Sequence, residues 1–303
     1  MLSMSSDGNR SGPAPNALDF CLTRLAHDPE PPMFSNRLRD LLSLAGEDEL
    51  SASRLAVLVL EDYGLTLKVL RAANSFYYNR SNRYIESITR AIVVLGTQTV
   101  RKLASTLAFF EHFEQRSCLL QQLLVRSMLS AHVAGITGAL IDSSRREEAY
   151  LAGMFQNLGE VLVARCLPDQ HAKIQAQIDA GVPANEASMR EMGFSYNALA
   201  EVASRHWKLP PHLSSLWEPQ VASEVTTLAR FGNDTTRLMC RPATKDREAG
   251  LRLLMMRYGV GLGLTERRLE DIWERAVGET LETFAGAEVK INTLVPPFRM
   301  NQS

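Results

Sequence analysis

Apolar residues along this chain recur every three or four positions in one segment after another, and almost nowhere do they alternate with polar residues over the length of a strand. That periodicity sets each apolar group on one face of a helix and leaves no strands to pair, so the expected fold is all-α. Candidate helices cover residues 35–45, 51–61, 64–75, 87–95, 97–113, 119–141, 145–166, 169–180, 184–192, 195–207, 209–217, 221–239, 247–258 and 265–285. No internal repeat of fixed period divides them.

Local chemistry supports these boundaries. Ser51 and Thr97 are placed to cap helix starts, and Thr265 precedes Glu266 in the first turn of the last helix. Pro168, Pro183, Pro210 and Pro211 fall at expected starts, where a missing N–H costs little. The run Gly259-Val260-Gly261-Leu262-Gly263 follows a helix and not a strand, so it reads as a helix–helix joint and not a phosphate loop. Leu269, Ile272, Trp273, Ala276, Val277 and Leu281 form a helical stripe expected to pack back on the main body, with a dimer contact as the alternative.

At 303 residues, 45% hydrophobic and 22% charged, the chain can bury a sizeable core. Its 33 Lys and Arg against 34 Asp and Glu give a formal charge of -1, so no global field draws it to nucleic acid or anionic lipid. Cys21, Cys118, Cys166 and Cys240 lie far apart, as free thiols of a reducing compartment do. Residues 1–16, rich in Ser, Gly, Pro and Asn, read as a disordered leader without a signal sequence. No apolar run reaches the roughly 20 residues that cross a bilayer, so the expectation is a cytoplasmic chain with no membrane partner. The body is expected over 17–240, with a lobe of short helices over 17–113 and a lobe of longer, more apolar helices over 114–240. A helical extension and tail follow over 241–303.

The segment from Val59 to Leu103 carries the most specific text: Asp62 to Thr66 (DYGLT), Leu70 to Ser75 (LRAANS), Ile85 to Ile92 (IESITRAI) and Leu95-Gly96. Upstream stands Pro31-Pro32-Met33, with Glu30 where a Leu would be expected, and downstream Trp207-Lys208-Leu209-Pro210. Together these resemble the HDOD domain family over about residues 18–240. The resemblance implies a two-lobed helical fold whose second lobe is an HD-like bundle. It also implies a bacterial protein of signalling networks, although no GGDEF, EAL or receiver segment is legible here.

The HDOD family is related to HD-domain phosphohydrolases, in which His and Asp side chains hold a divalent metal for phosphate-ester hydrolysis. The stretch AGMFQNLGE resembles their metal-binding helix but carries Gln156 in place of the His and Asn157 in place of the Asp. By the same resemblance the other ligand positions fall at Arg126, Tyr196 and Arg230. Amide oxygens bring no charge to neutralise a dication, and two of the remaining positions bring positive charge instead. The two amides are expected to satisfy one another and neighbouring backbone. No metal and no cofactor is expected, and restoring Gln156→His with Asn157→Asp is not expected to restore metal binding.

Other chemistry is sparse. The histidines His27, His112, His132, His171, His206 and His212 show no metal-ligand spacing, and His132, on the longest helix, reads as a partly buried structural residue. There is no nucleophile elbow and no Walker loop. The first lobe interleaves Arg71, Arg80, Arg83, Arg90, Arg101 and Lys102 with Phe76, Tyr77, Tyr78 and Tyr84, a mixture able to pair phosphates and stack on rings, and Asn74 lies among them. Asn74 is expected to cap a helix end and the aromatics to pack between the lobes. Three readings follow. The first is a non-catalytic regulatory scaffold that binds a protein partner or small ligand; the others are a nucleotide or nucleic-acid binding module and a phosphohydrolase with unusual ligands. Oligomeric state is left open.

Overall fold

The computed structural model describes Cys21, Thr23 and residues 52–79, 83–111, 118–218, 223–240 and 245–284. The expected leader, the helix over 35–45, the Ser51 cap, Pro31-Pro32-Met33, His27, Arg80, His112 and the C-terminal tail lie outside these residues. Among the described residues no strand occurs, in agreement with the all-α expectation.

The first lobe contains α1 (Ala52–Leu60), α2 (Tyr63–Ala73), α3 (Ile88–Leu95) and α4 (Thr97–Glu111). Its motif letters are mostly turn and cap chemistry. Asp62 accepts a hydrogen bond from Leu65 N at 2.7 Å to cap α2, and Thr66 Oγ1 donates back to Val59 O at 2.6 Å, tying α2 to α1. Asn74 ends α2. Its Nδ2 donates to Leu70 O at 3.0 Å and Ile85 O at 2.9 Å, while its Oδ1 accepts from Ile85 N at 2.9 Å. Ser87 then caps α3 through Arg90 N at 3.2 Å. Thr97 is not a cap; it is the first residue of α4, behind Gly96 at φ 78°.

The second lobe comprises α5 (Cys118–Ile141), α6 (Arg146–Phe155), α7 (Leu158–Cys166), α8 (Pro168–Asp179), α9 (Ala184–Met192), α10 (Tyr196–His206), α11 (Pro211–Ser214) and α12 (Glu224–Met239). Single 3₁₀ turns follow α5 at Ser143–Arg145 and α11 at Ser215–Trp217, so the helix expected over 209–217 is one short α turn and one 3₁₀ turn. The helix expected over 145–166 is two helices, broken at Gln156-Asn157.

The spine is α5, packed against α6, α12 and α14. By length and composition Leu119–Ile141 could cross a membrane, which corrects the expectation that no segment could; with 78% of its apolar window buried inside the protein, its hydrophobicity is spent on the bundle core.

The C-terminal helices are α13 (Lys245–Tyr258) and α14 (Glu266–Thr283), joined through the glycine-rich segment and with α14 capped by Thr265 through Arg268 N at 3.2 Å. As expected, α14 packs back on the body: Leu269, Ile272, Trp273 and Ala276 are buried, whereas Leu281 faces solvent. His132 Nδ1 meets Glu279 Oε2 at 2.9 Å, and Arg146 Nη2 donates to the same oxygen at 3.1 Å. The structural role expected of His132 is therefore to hold α14 on α5.

Candidate functional site

Two glycines fix the place where the helix breaks. A Cβ on Gly153 would stand 2.6 Å from Ser130 O of α5, and one on Gly159 would stand 1.9 Å from Tyr196 O at the start of α10. Their absence lets α6 lie on α5 and α7 on α10 at backbone contact distance. Between them Gln156 keeps helical dihedrals while Asn157, at φ -96° and ψ 17°, leaves the helix and takes the cap position of α7 without a capping side-chain bond.

Trp217 Nε1 donates to the Gln156 carbonyl at 3.1 Å. The Gln156 side-chain oxygen is buried without a hydrogen-bond donor. The expected mutual satisfaction of the two amides is therefore not what the structure shows.

Charge gathers one turn further on. Glu160 of α7 is 5% exposed, accepts from Gln175 Nε2 of α8 at 2.8 Å, and has His171 Nε2 of α8 at 3.5 Å from the same oxygen. Burial pushes its carboxyl up; interaction with His171 and the fields of Arg237 and Arg126 override burial and hold it below the usual carboxylate range. Tyr196 shares this environment: burial first, then the Glu160 charge, raise its phenol. Cys240, pushed up to about 11 by burial against the pull of Arg126 and Arg247, stays a protonated thiol.

Arg126 and Tyr196, placed by resemblance, thus converge on one buried carboxylate. Arg230 does not join them; its Nη2 donates to Glu218 O at 3.4 Å, and the arginine two turns later on the same helix, Arg237, supplies the field instead. Glu160, His171, Gln175 and Arg237 were not singled out from sequence. Glu160 could have been, since it is the one charged residue between Glu148 and Arg165, and a carboxylate in such a run must find buried partners.

The donor set does not fit a dication. Among the described residues no three His, Cys, Asp or Glu side chains converge, and the single carboxylate is already held by two guanidinium fields. A divalent ion needs several anionic or imidazole donors and would here meet fixed positive charge.

The first-lobe residues divide. Asn74 is buried and its amide is engaged with backbone, so it is not part of a surface. The Arg71 guanidinium lies 4.8 Å from the Trp207 ring centroid, bridging the lobes. Phe76 and Tyr77 are 90% and 73% exposed and Tyr84 is exposed as well, so these aromatics do not pack between the lobes; Tyr78 is half-buried, edge-on to Tyr77. Arg83 is exposed and Arg101 half-buried on α4.

A family model described as the HDOD domain matches residues 32–221. An uncharacterized protein of Treponema pallidum is 18% identical over 223 residues, 69% of this chain but 42% of its own length, so the chain spans less than half of that relative. Among solved structures, the MmoQ response regulator of Methylococcus capsulatus matches with a TM-score of 0.62 and 19% identity, over 80% of this chain and 97% of that one. A virulence factor of Campylobacter jejuni matches with a TM-score of 0.64 and 16% identity, over 87% and 97%. At these identities the two structures show a shared fold.

Proposed function

Because the chain belongs to the HDOD domain family, we propose that it is a non-catalytic regulatory protein, a scaffold that acts by binding and in which the metal ligands of HD-domain phosphohydrolases are replaced by residues that cannot hold a dication. The observation that carries this reading is that Gln156 and Asn157 contribute no charge and that the one carboxylate beside them, Glu160, is already engaged by Gln175 Nε2 at 2.8 Å, with His171 Nε2 at 3.5 Å from the same oxygen. What remains for function is surface, and the partner is a protein of a bacterial signalling pathway, met in the cytoplasm. The fold shared with a response regulator suits that role.

Hydrolysis of bis(p-nitrophenyl) phosphate with Mn²⁺, Ni²⁺ or Mg²⁺ supplied tests the reading. No turnover above buffer is expected; metal-dependent turnover that survives repurification and vanishes in a Glu160→Gln variant would overturn it.

A further inference from the structure

Helix α13 is apolar on two opposite faces. Inward, Leu254 is buried and Tyr258 lies edge-on to Phe231 of α12 at 5.4 Å. Outward, Ala249, Leu253 and Met256 form a second row at helical spacing, all exposed to solvent, Leu253 by 65% and Met256 by 80%. A helix apolar on both sides belongs between two layers. The body supplies one of them, α12. The stripe of α14 that offered a dimer contact on sequence grounds is spent on the body, since Leu269, Ile272, Trp273 and Ala276 are buried. The outward row of α13 is not spent in this way, and large apolar side chains grouped on one exposed face mark a contact surface.

Charge on the edge of that row says what covers it. Glu248 and Arg252 stand one turn apart along the same edge, both exposed, and neither enters an ion pair among the described residues. In an antiparallel two-fold contact an edge of the helix meets the same edge of its copy running the other way, so that residue i meets j and j meets i. Leu253 then seats over Ala249 of the partner subunit while Glu248 faces Arg252 of the partner subunit, and each pairing occurs twice. The row is complementary to itself in size and in charge. A partner of one sign would satisfy one member of the Glu248 and Arg252 pair and repel the other; a copy satisfies both.

We infer that α13 is the contact of a homodimer, its outward row packed antiparallel on the same row of a second copy of this chain. The inference goes beyond the reading of the chain as a non-catalytic scaffold and uses none of the residues around Glu160. A contact of one helix from each subunit is small, so association is expected at about 10–100 µM chain and not below.

Sedimentation velocity of the full chain from about 1 to 300 µM, the range that brackets such a weak contact, tests it. The wild type is expected to pass from monomer to dimer. Leu253→Glu with Met256→Glu is expected to weaken association at least tenfold. Glu248→Arg alone is expected to weaken it as well, less so at high salt, and Glu248→Arg with Arg252→Glu to restore it. The charge swap touches only two exposed edge residues, so it keeps the test decisive if the double glutamate variant does not fold. A chain monomeric throughout would overturn the inference, as would a dimer indifferent to Leu253→Glu with Met256→Glu, or a swap that associates no better than Glu248→Arg. A monomer that sediments with phosphatidylglycerol vesicles through Leu253 and Met256 would assign the row to a lipid surface and equally refute the dimer. None of these outcomes bears on phosphodiester turnover, so the non-catalytic reading stands or falls by its own assay.

Discussion

The carboxylate of Glu147, on α6, caps the N-terminus of α3 fifty-nine residues away in sequence: its Oε1 accepts from Ile88 N at 2.5 Å and Thr89 N at 3.2 Å, and its Oε2 accepts from Thr89 Oγ1 at 2.9 Å. A negative charge at a helix N-terminus satisfies orphan amides and meets the positive end of the dipole. The lobes are joined here, by the Tyr150 hydroxyl donating to Leu60 O at 3.0 Å, and by Tyr63 edge-on to Phe155 at 5.1 Å.

Glu147→Ala is therefore expected to cost about 1–2 kcal/mol, and to speed hydrogen exchange at Ile88 and Thr89 while leaving α14 amides protected. Equal acceleration across the chain would show that the cap has no local role.

Gly159→Ala forces a Cβ to within 1.9 Å of the Tyr196 carbonyl, where backbone and not a side-chain tip must move. The expected loss is about 3 kcal/mol. Gly278→Ala, in α14 with nothing within 4 Å, is the control and is expected to gain roughly 0.5–1 kcal/mol. Denaturant midpoints of the two variants check both signs.

Glu160 gives a pH signature. Its folded pKa is depressed, so its contribution to stability is fully present above the unfolded carboxyl value of roughly 4.3 and is lost as pH falls through the lower folded value. Glu160→Gln, which keeps the side chain's size but removes the charge favoured by the fields of Arg237 and Arg126, is expected to lower stability at neutral pH and to flatten the acid limb of the stability curve. Glu279, depressed first by its hydrogen bond to His132, adds a second, weaker acid-labile contact on α14. An acid limb unchanged in Glu160→Gln would argue against an ionised Glu160.

Lys208→Gly is expected to raise stability by about 1 kcal/mol, because glycine adopts the left-handed conformation without the clash a Cβ brings. A lower melting temperature would mean that the lysine side chain holds the turn.

The helices were legible because their apolar stripes recur at 3.6 residues, and the Thr265 start because a cap and its helix are neighbours in sequence; the caps at Asp62 and Ser87 were not read as such. The α6–α7 break was hidden, since Phe155-Gln156-Asn157-Leu158 contains neither Pro nor Gly and continues the apolar pattern on both sides. What breaks the helix is tertiary: Gly159 must meet Tyr196 O, and Trp217 holds the Gln156 carbonyl. The Glu160 network was hidden for the same reason, as its members come from α5, α7, α8, α10 and α12 and no local spacing joins Arg126 to Arg237.

On the proposed reading, the positive charge of Arg126 and Arg237 stands near where related centres hold a metal, so changing the two amides alone does not bring the metal back. The most direct measurement is the metal content of the wild-type protein and of Gln156→His with Asn157→Asp, each incubated with Mn²⁺, Fe²⁺ or Zn²⁺, desalted and analysed by mass spectrometry. Neither protein is expected to retain metal near one equivalent. One or more equivalents in the double variant, or in the wild type, would mean that this pocket still holds a dication.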